Sequence, residues 1–276
     1  MKNRIYAMDT HFMCENEGPS LEEQVALVKS VGYDDYYLTG AVNDVGKFER
    51  YLKASLDAGL GFNAAFECFD VKKTPKPEDL EHVEQVVSQL PDYARLEIAL
   101  VCDGMGNNVG DASQDDRALA WLGPISCILE KYNIEASLYP HFAFLLETLE
   151  DAIRLARKVD HPKMKVMFTS YHWFRVRNCE ARGQPDYPDL FTEAGNLLNA
   201  VNLCGSRVLE KEEDAVGGMN PSIEPIDAGT KDVPGILAEL ERIGFTGPIG
   251  IQGYSVNDSP ESALRRSFSQ LKQLID

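Results

Sequence analysis

Short apolar runs alternate with longer amphipathic runs along the whole chain, and this alternation limits the possible folds more than any other feature. Eight apolar runs have the length of β-strands. They are Ile5–Thr10, Asp35–Thr39, Phe62–Cys68, Leu96–Cys102, Ile134–Tyr139, Lys165–Thr169, Ala200–Cys204 and Ile249–Tyr254. Because strands that alternate with helices pair in parallel, eight such units without a spare strand predict an α/β protein with a single closed (β/α)8 TIM barrel.

Helix candidates with clear end signals fill the intervals. Ser20 and Glu23 form a capping box, and Gly32 ends that helix. Asp44 is suited to cap the second helix, and Pro77 suits the first turn of the third. The remaining candidates are Gln114–Tyr132 (interrupted at Gly123–Pro124), Leu145–Lys158, Tyr187–Asn196, Val233–Ile243 and Ser259–Ile275. No linker rich in Pro or Ser divides the chain, so residues 1–276 are predicted to form one domain.

Three long polar connections each follow a predicted strand: Asp103–Ser113, Arg175–Pro188 and Arg207–Lys231. In a barrel of this kind they lie on the face that carries the chemistry. Loops of this length are usually lids or binding loops.

The charge of the chain excludes some partners. The net charge is −17, from 44 acidic residues against 27 Lys and Arg. Such a surface repels phosphate backbones, so no nucleic-acid partner is expected, whereas a small neutral carbohydrate is compatible. No apolar run reaches the roughly 20 residues that span a bilayer, and the first residues, MKNRIYAMDTHFM, do not resemble a signal peptide. Six scattered cysteines without CxxC pairs suggest reduced thiols and therefore the cytoplasm.

Four segments pass from a predicted strand into polar or aromatic residues: LYPHF (138–142), FTSYHWFRV (168–176), VNLCGSR (201–207) and GIQGYS (250–255). The carboxyl ends of parallel strands are where α/β folds bind ligands. The chain from about Ile134 onward, including SLYPHF, VMFTSYHWFRV and PIDAGTKDVPGILAELERIGFTGPIGIQGYS, resembles the sugar phosphate isomerase/epimerase family of xylose-isomerase-like TIM barrels.

That resemblance implies a divalent metal held by two Glu, an Asp and a His at strand ends. In this sequence the four positions correspond to Tyr139, Thr169, Asn202 and Gln252, which are neutral. Such side chains are poor ligands for a hard cation, so no metal is expected there. The alternative is a shifted metal site built from Asp9, Glu67, Asp103, His141 and His172. If the correspondence itself is mistaken, the family positions would bind Mn, Co, Mg or Zn.

The resemblance retains two histidines, His141 and His172. Histidine titrates near neutral pH, so a facing pair suits acid–base catalysis without a metal. The alternative is that each is only a hydrogen-bonded structural group. Glu67 is the one carboxylate in an apolar run, and burial would raise its pKa and make it a base, or else it is a salt-bridged barrel residue.

Several further residues are candidates for substrate binding. Asp9 and His11 end the first strand and are expected to face the barrel mouth. Trp173 and Tyr254, with Phe142 as a weaker candidate, suit stacking on a sugar ring, although rim packing explains them equally well. Arg207, like Arg175 and Arg177, suits an oxyanion or simply balances an acidic surface.

The sequence therefore favours an enzyme that transfers a proton next to the carbonyl of a sugar or keto-sugar. The outcome would be isomerisation, epimerisation or elimination. A catalytically inactive carbohydrate-binding barrel is the main alternative, and a metal-dependent endonuclease is disfavoured by charge and by only five histidines. A homo-oligomer is compatible with the family resemblance.

Overall fold

The computed structural model describes residues 1–13, 18–177, 186–210, 220–229 and 231–276. Within them, eight parallel strands close into a barrel, which confirms the predicted (β/α)8 architecture. The barrel strands are β1 (Ile5–Met8), β2 (Asp35–Thr39), β3 (Gly61–Asp70), β4 (Arg95–Val101), β5 (Glu135–Leu138), β6 (Met164–Thr169), β7 (Leu198–Leu203) and β10 (Ile249–Ile251). Around the barrel they follow the order β1-β10-β7-β6-β5-β4-β3-β2, and β2 pairs with β1.

Helices surround this barrel. They are α1 (Leu21–Val31), α2 (Val45–Asp57), α3 (Pro77–Val87), α4 (Asp115–Tyr132), α5 (Leu149–Val159), α6 (Ser170–Arg177), α7 (Tyr187–Ala194), α8 (Val233–Arg242) and α9 (Pro260–Ile275). A small antiparallel pair, β8 (Gly205–Arg207) and β9 (Ser222–Glu224), was not predicted and lies within the long connection after β7. Among the described helices, none has the length and apolar character needed to cross a membrane.

The predicted helix ends are confirmed by their hydrogen bonds. The Ser20 hydroxyl accepts from the Glu23 amide, and the Glu23 carboxylate accepts from the Ser20 amide. Gly32 ends α1 with a left-handed backbone, φ 112°, a conformation that glycine adopts without a steric penalty. The Asp44 carboxylate caps α2 by accepting from the Lys47 amide. These local signals fix where the outer helices begin and end.

The first and last strands of the barrel end two or three residues earlier than predicted. β1 ends at Met8 and β10 at Ile251, so that Asp9 and Thr10 lie in a 3-10 turn over Asp9–Phe12. The reason is that side chains replace the ladder at this edge. The Asp9 carboxylate accepts from the Thr39 amide and hydroxyl at 2.9 and 2.7 Å. Hydrogen bonds of polar side chains across the barrel mouth therefore end the strand pairing before the end of the strand predicted from the sequence.

Two predicted helices also need correction. Pro124 does not interrupt α4, which is helical throughout. Its flanking residues Leu122 and Ile125 are fully buried, and tertiary packing of this kind sustains a helix through a missing hydrogen bond. The fifth helix begins at Leu149 because the Thr148 hydroxyl accepts from the Asp151 amide at 3.2 Å, forming a capping box.

The barrel interior contains a buried polar network. Arg95 on β4 donates from Nη2 to Glu97 at 2.6 Å and to the Tyr6 hydroxyl at 2.8 Å. Tyr6 donates to Oδ1 of Asn202, and Arg95 also donates to Asn63. All five side chains are buried. Because an unpaired charge is costly in such a place, these bonds tie β1, β3, β4 and β7 into one register.

Replacing Arg95 with Met should lower the free energy of unfolding by about 3–5 kcal/mol, because Glu97 is then buried without a counter-charge. Urea denaturation followed by circular dichroism measures this loss. The double variant Arg95→Met/Glu97→Leu removes both charges and should recover most of it. Arg265→Met, which breaks the exposed pair with Glu261, serves as control and should change stability by less than about 0.5 kcal/mol. A double variant no more stable than Arg95→Met would contradict this account.

Candidate active site at the mouth of the barrel

A cavity of about 350 Å³ opens at the carboxyl ends of the barrel strands. Five of the predicted site residues line it: Tyr139, His141, His172, Gln252 and Tyr254. They follow β5, β6 and β10, so the barrel brings together residues from three of the four segments singled out in the sequence. A second cavity, of about 480 Å³, lies at the opposite end of the barrel and contains none of the predicted residues.

The two histidines form the centre of the site. The rings of His141 and His172 face each other with centroids 3.9 Å apart. Nδ1 of His141 lies 2.8 Å from the Phe142 carbonyl. A carbonyl only accepts hydrogen bonds, so this assigns the proton to Nδ1 and leaves the lone pair on Nε2. Nε2 of His172 lies 3.4 Å from the Tyr139 hydroxyl, and its Nδ1 has no hydrogen-bond partner among the described residues.

Burial keeps both imidazoles neutral. It lowers the pKa of His141 to about 4, with a smaller effect from the Arg175 guanidinium. It also places the pKa of His172 well below the usual value, and the charges near it, including Lys231, add to the shift. Lys231 is itself buried and donates to the Ser170 hydroxyl at 2.9 Å and to Cys204 Sγ at 3.2 Å. The pair therefore enters a reaction uncharged, as proton acceptors.

Asp9 and His11 are buried but do not line the cavity. The Asp9 carboxylate is bound to Thr39, and burial raises its pKa against these hydrogen bonds. Nδ1 of His11 lies 3.0 Å from the Met8 carbonyl, and its ring packs so closely on Gly253 that a Cβ there would come within 2.1 Å of it. These two residues shape the ends of β1 and β10 beneath the site.

Glu67 points to the outer side of β3. Its carboxylate accepts from the amides of Val42 and Asn43 at 3.0 and 2.9 Å, and so holds the turn after β2. Burial raises the pKa of Glu67, as expected from the sequence, but the side chain does not line the cavity. Its neighbour Phe66 does. Alternate strand residues face opposite sides, so the barrel mouth receives the residue one position before the predicted one.

Thr169 and Asn202 are also engaged within the protein. The Thr169 hydroxyl donates to the Pro140 carbonyl at 2.8 Å, and Oδ1 of Asn202 accepts from Tyr6. Neither side chain lines the cavity. Both therefore support the floor of the site, and their contacts give no evidence of direct substrate binding.

Trp173 and the three arginines lie outside the cavity lining. The Trp173 indole donates to Asp186 at 2.7 Å. Arg175 lies 3.9 Å over the Phe142 ring, and Arg177 forms ion pairs with acidic side chains. Arg207 is exposed in β8. Within the described structure, these cations do not form an oxyanion pocket at the histidines.

The positions that hold a metal in the resembling family do not fit one in this protein. Tyr139 remains protonated because burial raises its pKa, and Thr169 and Asn202 use their oxygens in the hydrogen bonds described above. Of these four side chains as described, Gln252 alone has a buried oxygen without a hydrogen-bond partner. One amide oxygen is far short of the carboxylate set that divalent cations require.

A shifted metal site is not assembled either. The Asp9 carboxylate is bound to Thr39 at the end of β2, and the Glu67 carboxylate is bound to the amides of the turn that follows. Asp103 pairs with Lys72 at 2.7 Å. Across the described ranges, no three His, Cys, Asp or Glu side chains converge as metal ligands would. No step of a reaction is therefore assigned to a metal here.

Much of the cavity wall consists of residues that sequence reasoning did not select. Phe142, a weaker candidate, does line it. The unpredicted lining residues are Met8, Thr10, Met13, Tyr37, Thr39, Phe66, Met105, Phe144, Tyr171 and Ile223. Most are apolar, and an apolar residue at a strand end has the same sequence signature as a core residue. The alternation of side chains along a strand is the one sequence signal that could have indicated a lining residue, as it does for Phe66.

A closed parallel barrel with a cavity at the carboxyl ends of its strands places the protein among the TIM barrels. More narrowly, the chain belongs to the xylose isomerase-like TIM barrel family, whose model matches residues 25–274. This confirms the family resemblance inferred from the strand-end segments.

Solved structures of the same fold are distant in sequence. 3-Keto-D-glucoside 4-epimerase YcjR from E. coli is 17% identical, with a TM-score of 0.69 over 99% of this chain and 100% of that one. The probable 3-DHS dehydratase AsbF from Bacillus anthracis is 16% identical, with a TM-score of 0.72 over 98% of both chains. D-Allulose 3-epimerase from Methylomonas sp. is 13% identical, with a TM-score of 0.70 over 99% and 98%. No curated protein matches the chain by sequence.

The buried histidines make stability depend on pH. His11 and His141 have folded pKa values of about 4, against 6.5 for a free histidine. The unfolded chain binds protons below pH 6.5 that the folded chain refuses until about pH 4. The free energy of unfolding should therefore fall as the pH drops through this window, by up to about 1.4 kcal/mol per pH unit for each such histidine.

Urea denaturation between pH 4 and pH 7.5 measures the slope of the free energy of unfolding against pH. His11→Gln should reduce this slope by up to about 1.4 kcal/mol per pH unit, which corresponds to one proton. His82→Gln, which removes an exposed histidine on α3, should leave the slope nearly unchanged. Equal slopes for wild type and His11→Gln would show that His11 is not buried in its neutral form.

Proposed function

We propose that this protein is an enzyme that acts on a neutral sugar or keto-sugar by transferring a proton at the carbon next to a carbonyl. The outcome would be isomerisation, epimerisation or elimination. The observation that carries the proposal is the pair of neutral imidazoles, 3.9 Å apart, in the wall of a cavity at the catalytic end of the barrel. General acid–base catalysis requires such groups within reach of one bound substrate.

In the proposed mechanism, His141 accepts the substrate proton on Nε2, because Nδ1 is committed to the Phe142 carbonyl. The charge that develops on His141 is balanced by the enolate formed beside it. His172, whose Nε2 lies 3.4 Å from the Tyr139 hydroxyl, acts as the second acid–base group. Gln252, whose amide oxygen has no described protein partner, binds a sugar hydroxyl.

The family and its structural neighbours support the chemical class. Two of the neighbours named above are sugar epimerases, and the third is a probable dehydratase. Epimerisation begins with removal of a proton next to a carbonyl, and so does elimination of water. Direct binding roles for Asp9, His11, Thr169, Trp173, Asn202 and Arg207 are not included, because these side chains do not line the cavity.

A binding protein without catalytic activity is the second candidate. It is favoured by the absence of Asp and Glu among the described cavity-lining residues and by the low pKa of both histidines. Such a weak base can accept a hydrogen bond, but it is poorly suited to removing a proton from carbon. The expected cytoplasmic location, the possible homo-oligomer and the expected lack of nucleic-acid binding stay predictions.

Hydrogen exchange tests the two candidates against each other. The protein is incubated in D2O with D-allulose, L-ribulose and a 3-keto-D-glucoside, and loss of the proton next to the carbonyl is followed by NMR. We expect exchange with at least one of these probes. His141→Gln and His172→Gln should each slow it by at least about 100-fold, the usual contribution of an acid–base group.

His82→Gln, on the exposed face of α3, is the matched control and should exchange at the wild-type rate. Binding of a probe without exchange would favour the inactive carbohydrate-binding barrel. Exchange that survives both cavity substitutions in folded protein would show that the histidine pair is not the catalytic group.

Chelation tests the neutral character of the site. After dialysis against EDTA we expect unchanged exchange, and no stabilisation on adding Mn²⁺, Co²⁺, Mg²⁺ or Zn²⁺, because carboxylate ligands are missing at the family positions. A metal present at 100 times its Kd would add about 2.7 kcal/mol to the free energy of unfolding. Thermal unfolding would reveal a gain of that size, and such a gain would mean that a metal site exists.

A further inference from the structure

Large apolar side chains are exposed around the mouth of the cavity. Met13, Met105 and Tyr254 are 51%, 56% and 38% exposed, and all three line the cavity. Single exposed apolar residues are ordinary, but a group of them around one opening marks a binding surface.

Hydrogen bonds between two connections hold part of the rim formed by Met13, Met105 and Tyr254. Met105 lies on the connection after β4, and two backbone hydrogen bonds attach this connection to the segment after β5. The Gly106 amide donates to the Ala143 carbonyl at 2.7 Å, and the Gly110 amide donates to the Phe144 carbonyl at 3.3 Å. These bonds hold Met105 beside Phe144, whose ring stacks on His141 at 4.0 Å. An apolar surface therefore runs from the histidines to the rim.

Polarity changes along the depth of the cavity. The buried lining residues at its inner end include the polar side chains of Thr10, His172 and Gln252 and the hydroxyl of Tyr139. The outer end is formed by the exposed Met and Tyr side chains. None of the described lining residues is Asp, Glu, Lys or Arg, although the whole chain has 44 acidic and 27 basic residues. A charged ligand would find no counter-charge among these lining residues. The cations behind them are already engaged, Arg175 over the Phe142 ring and Lys231 with Ser170 and Cys204.

We propose that the ligand of this cavity is an uncharged glycoside with an apolar aglycone. The sugar ring binds at the inner end, near His172 and Gln252, and the aglycone, an aromatic ring or a short alkyl chain, binds among Met13, Met105 and Tyr254. Methionine and tyrosine suit such a group, because they offer polarisable and aromatic surfaces. This inference rests on the proposed carbohydrate function and specifies its substrate class: the reacting form is a keto-glycoside, whose ring ketone supplies the carbonyl, and the simple glucosides used below report binding only.

Calorimetric titration of the full chain tests the proposal with phenyl and methyl β-D-glucopyranoside, the matching α-anomers, and glucose 6-phosphate. We expect the phenyl glycoside of the preferred anomer to bind at least about tenfold more tightly than its methyl counterpart, because the ring removes apolar surface from water. Glucose 6-phosphate should bind more weakly than either.

Substitutions at the rim locate the effect. Met105→Ser and Tyr254→Ser should each reduce the ratio of phenyl to methyl affinity towards one, while affinity for the methyl glycoside changes little. Val109→Ser is the matched control: Val109 is 37% exposed on the same connection as Met105 but does not line the cavity. It should leave the ratio at its wild-type value.

Equal affinity for phenyl and methyl glycosides, or tighter binding of glucose 6-phosphate, would overturn the inference. So would rim substitutions that change the oligomeric state in sedimentation but not the affinity ratio, since the rim would then be a contact between copies of the chain. If the ratio behaves as expected but no hydrogen exchange is ever detected, the proposed catalysis fails and the glycoside inference remains.

Discussion

The buried ion pair between Arg95 and Glu97 is the constraint on which the rest of the barrel depends. Charges inside a barrel are tolerated when they are paired and hydrogen-bonded, and here Arg95 pairs with Glu97 and also donates to Asn63 and Tyr6. The network joins β1, β3, β4 and β7 across the interior. The network also reaches the site at the mouth of the barrel. Asn202, at one of the four family metal positions, accepts a hydrogen bond from Tyr6.

The site combines neutral acid–base groups with an apolar wall, and the two features have a common cause. Burial that lowers the pKa of His141 and His172 comes largely from the aromatic rings packed beside them, such as Phe142 and Phe144. The same surroundings would strengthen any hydrogen bond made to a bound sugar. They would also make a charged substrate costly to bind. Reactivity and ligand preference therefore arise from one set of contacts.

The fold was largely predictable, whereas the site was predictable only where the signal was polar. Strand periodicity located the barrel, and the Ser20 and Asp44 caps located helix starts, because these depend on local hydrogen bonds. His141 and His172 were found because both fall in strand-end segments that match the resembling family. Phe66 was missed in favour of Glu67, because the side of the strand that faces the mouth depends on pairing between distant strands. Met105 was missed because its position depends on backbone bonds to a different connection.

The four neutral positions of the family metal site have a consequence for evolution. Thr169 and Asn202 are each hydrogen-bonded within the protein, and Tyr139 packs edge-on against Phe66. A single carboxylate introduced at one of them would bury a charge long before enough ligands existed to bind a cation that could neutralise it. Packing therefore opposes the introduction of a metal site at these positions one substitution at a time.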